Sequence, residues 1–184
     1  LFLILMLTPL LAAWAPDAEA ARVRVKVETP GGFEQKVLLG RPPGLAADRP
    51  VVFVMHGAQR DVDAEFDRWY PLALEREFLL VVPEFSARDF PGARGYSYGN
   101  AQDRDGKPRP RSTWSFEAIE VIFDDLRQRF GMTAGGYAIY GHAAGAQFAH
   151  RFLLHVPEAR VSRAVAAREF YCEMLGFREF SVPG

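Results

Sequence analysis

The chain has 184 residues, 49% hydrophobic and 24% charged, with a net charge of −1. That balance fits an ordinary globular protein and offers no basic block for a nucleic-acid partner. The single cysteine, Cys172, excludes an internal disulfide and a multi-cysteine metal site. His56, His142, His150 and His155 show no metal-ligand spacing with acidic partners, so no metal or cofactor is expected. Positive charge is carried almost wholly by arginine, Lys26, Lys36 and Lys107 being the lysines.

Leu1 to Trp14 is an apolar run interrupted by Thr8 and Pro9. It is short for a membrane span, and Pro9 and Pro16 argue against a core helix. Ala18-Glu19-Ala20 fits the small-x-small pattern of signal-peptide cleavage. A signal peptide over residues 1–20 is therefore expected, with a mature chain from Ala21, export to periplasm or medium, and no membrane anchor after cleavage.

Arg22 to Glu28 alternates strictly, which predicts a half-exposed edge strand. Thr29-Pro-Gly-Gly32 predicts a turn and Phe33–Leu39 the second strand of a hairpin. Val51–Met55 is a continuous apolar run, as in a strand buried on both faces. Asp61–Tyr70 predicts a short helix, and Pro71 the first turn of a second one reaching Arg76. Phe78–Val82 predicts another buried strand, closed by Pro83. Ser86 to Arg111 lacks periodicity and reads as a long surface loop near a site. Asp103 and Asp105 within it fit turn chemistry better than cation binding. Phe116, Ile119, Ile122, Phe123, Leu126 and Phe130 then share one helical face, with Ser112 or Thr113 as cap and Gly131 as stop.

The next stretch organises the chain. Tyr137–Tyr140 is a short buried strand, Gly141-His-Ala-Ala-Gly145 a turn, and Ala146–Val156 a helix. Gly141 and Gly145 bracket a turn too tight for a Cβ at either place. Val161–Ala167 predicts one further strand. Alternating strands and helices imply a parallel sheet with helices on both faces.

From about Pro50 to Ala167 the chain resembles secreted α/β-hydrolases of the polyhydroxybutyrate-depolymerase and feruloyl-esterase-like group. The matching segments fall in order: His56-Gly57 after a buried strand, Val81-Val-Pro-Glu-Phe85, Trp114–Phe123, and Gly141-His-Ala-Ala-Gly-Ala-Gln-Phe-Ala-His-Arg151. The last resembles the nucleophile elbow of those proteins. The resemblance implies an α/β fold, a mostly parallel sheet with helices on both faces, C-terminally incomplete here. It implies acyl transfer on a small-molecule or polymer ester, in which a serine attacks and a histidine, oriented by an acid, takes its proton. The oxyanion donors would be the backbone amides of Ala58 and Ala144. His56 and Gly57 would shape the oxyanion loop, and His142 would pack or hydrogen-bond beneath the elbow. Tyr96 and Tyr98 are candidate walls of a substrate groove.

The sequence departs from that pattern in three places. Ala143 stands at the nucleophile position. The acid and histidine that follow the elbow in this fold are missing, since His150 and His155 fall on the helix leaving it. After Ala167 the segment Arg168–Phe180 resembles a glyoxalase/bleomycin-resistance-type helix, or reads as an amphipathic terminal helix. The expected organisation is thus a signal peptide (1–20), a partial hydrolase domain (21–167) and an atypical C-terminal helix and tail (168–184). An inactive chain of ester-hydrolase lineage is expected. The alternatives are a non-catalytic ester- or aromatic-ligand-binding protein and a non-functional fusion or truncation product.

Overall fold

The computed structural model describes residues 21–166. The proposed signal peptide and the segment after Ala166 lie outside them. β1 (Ala21–Glu28) and β2 (Glu34–Arg41) form the expected antiparallel hairpin, in register at Lys26 and Lys36. β3 (Val51–Met55), β4 (Leu79–Glu84), β5 (Tyr137–Gly141) and β6 (Val161–Ala166) complete one sheet in the order β1-β2-β4-β3-β5-β6. β2 pairs antiparallel with β4, and the remaining neighbours are parallel.

The continuous apolar strands serve two cores at once. Phe53, Met55, Leu79 and Val81 face one apolar cluster, whereas Val54, Leu80 and Val82 face the other. This is the period-two alternation of a strand covered on both sides. α1 (Val62–Arg76) covers the second face through Val62, Phe66 and Ala73. α3 (Glu117–Phe130) and α4 (Ala144–His155) cover the first through Ile119, Ile122, Phe123, Phe148 and Phe152. Between β4 and α3 lie the four-residue α2 (Gly92–Gly95) and a 3-10 turn, Arg111–Thr113.

After β3 the chain crosses to β4 on one side and later returns to β5 on the other. Strand order reverses there, and in open α/β sheets ligands bind beyond the carboxyl ends of strands at such a point. His56 follows β3, and His142-Ala143 follow β5, so both segments meet at this crevice.

Local sequence rules fail at four places. One helix spans Val62–Arg76 with Pro71 inside it, where two helices were expected. Asp61 caps it by accepting from Ala64 N–H at 2.9 Å. Pro71 is exposed, and Phe66 and Ala73 on either side of it are buried in the same core, so packing holds both halves in line. β4 also runs through Pro83, which pairs in register with Val37. The buried Gln35 on β2 donates from Nε2 to the Glu84 carbonyl at 2.8 Å and ties β4 to β2 just past Pro83. α3 starts at Glu117 without a side-chain cap, because Thr113 instead donates from Oγ1 to Pro110 O at 2.7 Å within the 3-10 turn. Gly131 ends α3 in the left-handed conformation, as expected. Finally, Ser86–Arg111 is not simply a surface loop: Phe90, Tyr96 and Ala101 are buried in the core.

Candidate active site

β5 ends at Gly141, and α4 begins three residues later. Gly145 N–H donates to His142 O at 2.8 Å, which closes the turn. The two glycines are required by close backbone approach. A Cβ on Gly141 would lie 2.3 Å from the Gly145 carbonyl, and one on Gly145 would lie 2.2 Å from Met55 O. Ala143 sits between them at φ 48°, ψ −117°. This is the conformation of the first central residue of a type II′ turn, which glycine dominates. An L-residue held there stores strain of about 1–3 kcal/mol, a cost that clusters at functional sites. Ala144 is the first residue of α4, so its amide belongs to a turn whose N–H groups have no intrahelical acceptor.

The predicted oxyanion loop is fixed from below. The His56 imidazole is fully buried and accepts the Phe85 N–H at Nε2, 3.1 Å away. Burial lowers its pKa from 6.5 to about 4. The ring is therefore neutral at pH 7, and the accepted bond at Nε2 assigns its proton to Nδ1, 3.2 Å from Gly57 O. Tyr96 donates from its hydroxyl to His56 O at 2.7 Å. Arg60 lies 4.2 Å over the Tyr96 ring and donates to Phe85 O, to Phe90 O at 3.2 Å and to Gly92 O at 3.0 Å. Tyr96 is thus no groove wall. It is a fully buried strut under the loop, packed on His56, Phe85 and Phe148. Nothing in the aperiodic sequence around it marked that role.

A cavity of about 290 Å³ opens above the elbow, and Gly57, Ala58, His142 and Ala143 line it. The predicted oxyanion loop and the nucleophile position therefore share one cavity. Its remaining wall comes from Gln59, Asp61 and α1, including Glu65 and Arg68, which the sequence reading missed. Glu65 is buried with its carboxylate 3.4 Å from both His142 Nδ1 and Arg68. The available signal was a carboxylate within the apolar face of α1, beside Val62 and Phe66. Tyr98 is 46% exposed and lines a separate recess. His155 lies twelve residues past Ala143, about 18 Å along the helix axis, and its ring is held by Arg151 O at 2.8 Å and by Trp114. Among the described residues, His142 is the histidine that reaches the cavity.

A solved poly(aspartic acid) hydrolase-1 from Sphingomonas sp. KT-1 is 39% identical, with a TM-score of 0.76, over 80% of this chain and 56% of its own. A poly(3-hydroxybutyrate) depolymerase from Bordetella parapertussis is 30% identical, with a TM-score of 0.72, over 78% of this chain and 50% of its own. The chain has the α/β-hydrolase fold and resembles members of its esterase and depolymerase group. It spans about half the length of those two solved structures. An S-formylglutathione hydrolase from Agrobacterium tumefaciens shares the fold at 19% identity and a TM-score of 0.58, over 78% of this chain and 56% of its own. No protein-family model and no curated protein matches the chain. In an α/β-hydrolase the elbow residue carries the nucleophile; here the strained backbone presents the methyl of Ala143.

Proposed function

We propose that this chain is an exported α/β-hydrolase domain of ester-cleaving lineage that holds an acyl ligand at its elbow without turning it over. The observation that carries this reading is Ala143, in nucleophile-elbow geometry beside an open cavity. A methyl group forms no acyl-enzyme, and Ala143 offers nothing else at that position. The oxyanion donors are main-chain amides at Ala58 and Ala144, so they do not depend on the missing side chain. Loss of a nucleophile leaves only the modest acceleration that oxyanion and binding effects supply.

The neighbours support a polymeric substrate. The two most similar solved structures described above are named for hydrolysis of poly(aspartic acid) and poly(3-hydroxybutyrate). A polymer ester or its oligomer is the ligand proposed here. Export rests on Ala18-Glu19-Ala20, and cleavage there gives the domain its start at Ala21. No helix among the described residues is long and apolar enough to cross a membrane.

The test is calorimetric titration of the chain with a 3-hydroxybutyrate tetramer. Saturable heat is expected, and Ala64→Phe, on the α1 wall of the cavity, is expected to abolish it. A flat titration of the unaltered chain would sink the proposal.

A further inference from the structure

A second recess of about 250 Å³ lies beside α4, lined by Arg94, Tyr98, Ala101, Gln102, Arg151 and His155. None of these side chains is acidic, and two are guanidinium groups. Arg94 is anchored by donating to the Asp103 carbonyl oxygen. Arg151 is anchored on Gln147, donating to its Oε1 at 3.2 Å, and lies 4.5 Å over the Tyr98 ring. Oδ1 of the nearby Asp103 accepts the amides of Asp105 and Lys107 at 2.9 Å each. Among the described residues neither Arg94 nor Arg151 has an ion-pair partner.

The recess is aligned with the elbow. Ala143, Gln147 and Arg151 are spaced four residues apart and follow one face of α4. The rise of a helix places Arg151 about 12 Å beyond Ala143 along the axis. An oligomer seated over Ala143 and running along this face meets the two guanidinium groups. The C-terminal half of α4 itself disfavours an anion, so the arginines carry the attraction. Planar guanidinium groups favour carboxylates through paired N–H donors.

The geometry points to a carboxylate-binding subsite between Arg94 and Arg151, which selects acidic oligomers whose acyl group lies at the elbow. This rests on the reading of the elbow cavity as an acyl-ligand site. The Tyr98 ring fixes the Arg151 guanidinium, and Gln147 links the subsite to the elbow.

The test compares two tetramers with the same ester backbone. One is a β-linked malate tetramer, with a carboxylate on each repeat, and the other is the 3-hydroxybutyrate tetramer, with a methyl there. Each is titrated calorimetrically into the full chain at low salt. The malate tetramer is expected to bind at least about tenfold more tightly, the worth of one charge-assisted pair. R94Q/R151Q is expected to remove that advantage and leave the hydroxybutyrate affinity unchanged. Equal affinity of the two ligands, or a malate preference that survives R94Q/R151Q, overturns the subsite and leaves the elbow reading intact. Arginine-dependent malate binding without hydroxybutyrate binding supports the subsite and overturns the elbow reading. No binding of either ligand overturns both.

Discussion

Replacing Ala143 with glycine should stabilise this protein, although the substitution removes a methyl and loosens the unfolded chain. Ala143 sits at φ 48°, ψ −117° and is exposed, so its methyl contributes little burial. Releasing the strain of an L-residue there is worth about 1–3 kcal/mol. Glycine gives back about 0.5–1 kcal/mol in backbone entropy. The net gain is about 1 kcal/mol, which raises Tm by about 2–4 °C for a chain of this size. Ala143→Val should move the midpoint the other way, because a branched Cβ worsens the same clash. Thermal unfolding followed by circular dichroism, with urea midpoints as a second measure, reads both variants. If Ala143→Gly lowers stability and Ala143→Val leaves it unchanged, the residue occupies an ordinary conformation and the argument for a preserved elbow fails.

Three further outcomes follow from the same geometry. Gly145→Ala should cost roughly 3 kcal/mol or more, because its Cβ would meet Met55 O at 2.2 Å, and backbone has no rotamer to yield; a urea midpoint equal to that of the parent refutes the close approach. Tyr96→Phe should cost about 1–2 kcal/mol by leaving His56 O without its buried donor, and a neutral effect would mean that water reaches that carbonyl. His56 makes stability depend on pH. Its folded pKa is about 4 against 6.5 unfolded, so between those values the unfolded chain binds a proton that the folded one refuses. Stability is fully present above about pH 6.5 and is lost as pH falls through the window, by about 3 kcal/mol in all. Urea unfolding at pH 7.5 and 4.5 should show a smaller drop for His56→Gln than for the parent; equal drops would mean that His56 does not cause the dependence.

The elbow was legible because its requirements are local. Two glycines, a short apolar strand and a following helix are all written within Tyr137–His155, and the structure keeps that order, with the strand reaching Gly141 and the helix starting at Ala144, two residues earlier than read. The buried strands were legible for a similar reason, since Val51–Met55 is apolar at every position and both faces are covered. Pro71 and Pro83 misled because proline reports on one backbone donor, whereas the packing of Phe66 and Ala73 and the donor from Gln35 decide the outcome. Tyr96 was invisible as a strut because its position depends on a hydrogen bond to a residue forty positions earlier. Glu65 was open to detection as a charge on an apolar helical face, but its meaning came only when α1 met His142 across the cavity.

We propose a hydrolase elbow that is intact in backbone and silent in chemistry. The most direct measurement is the rate at which the purified chain hydrolyses p-nitrophenyl butyrate, with and without a serine-directed phosphonate. The predicted rate equals that of buffer and is unchanged by the phosphonate. Turnover above buffer that the phosphonate abolishes would contradict the claim.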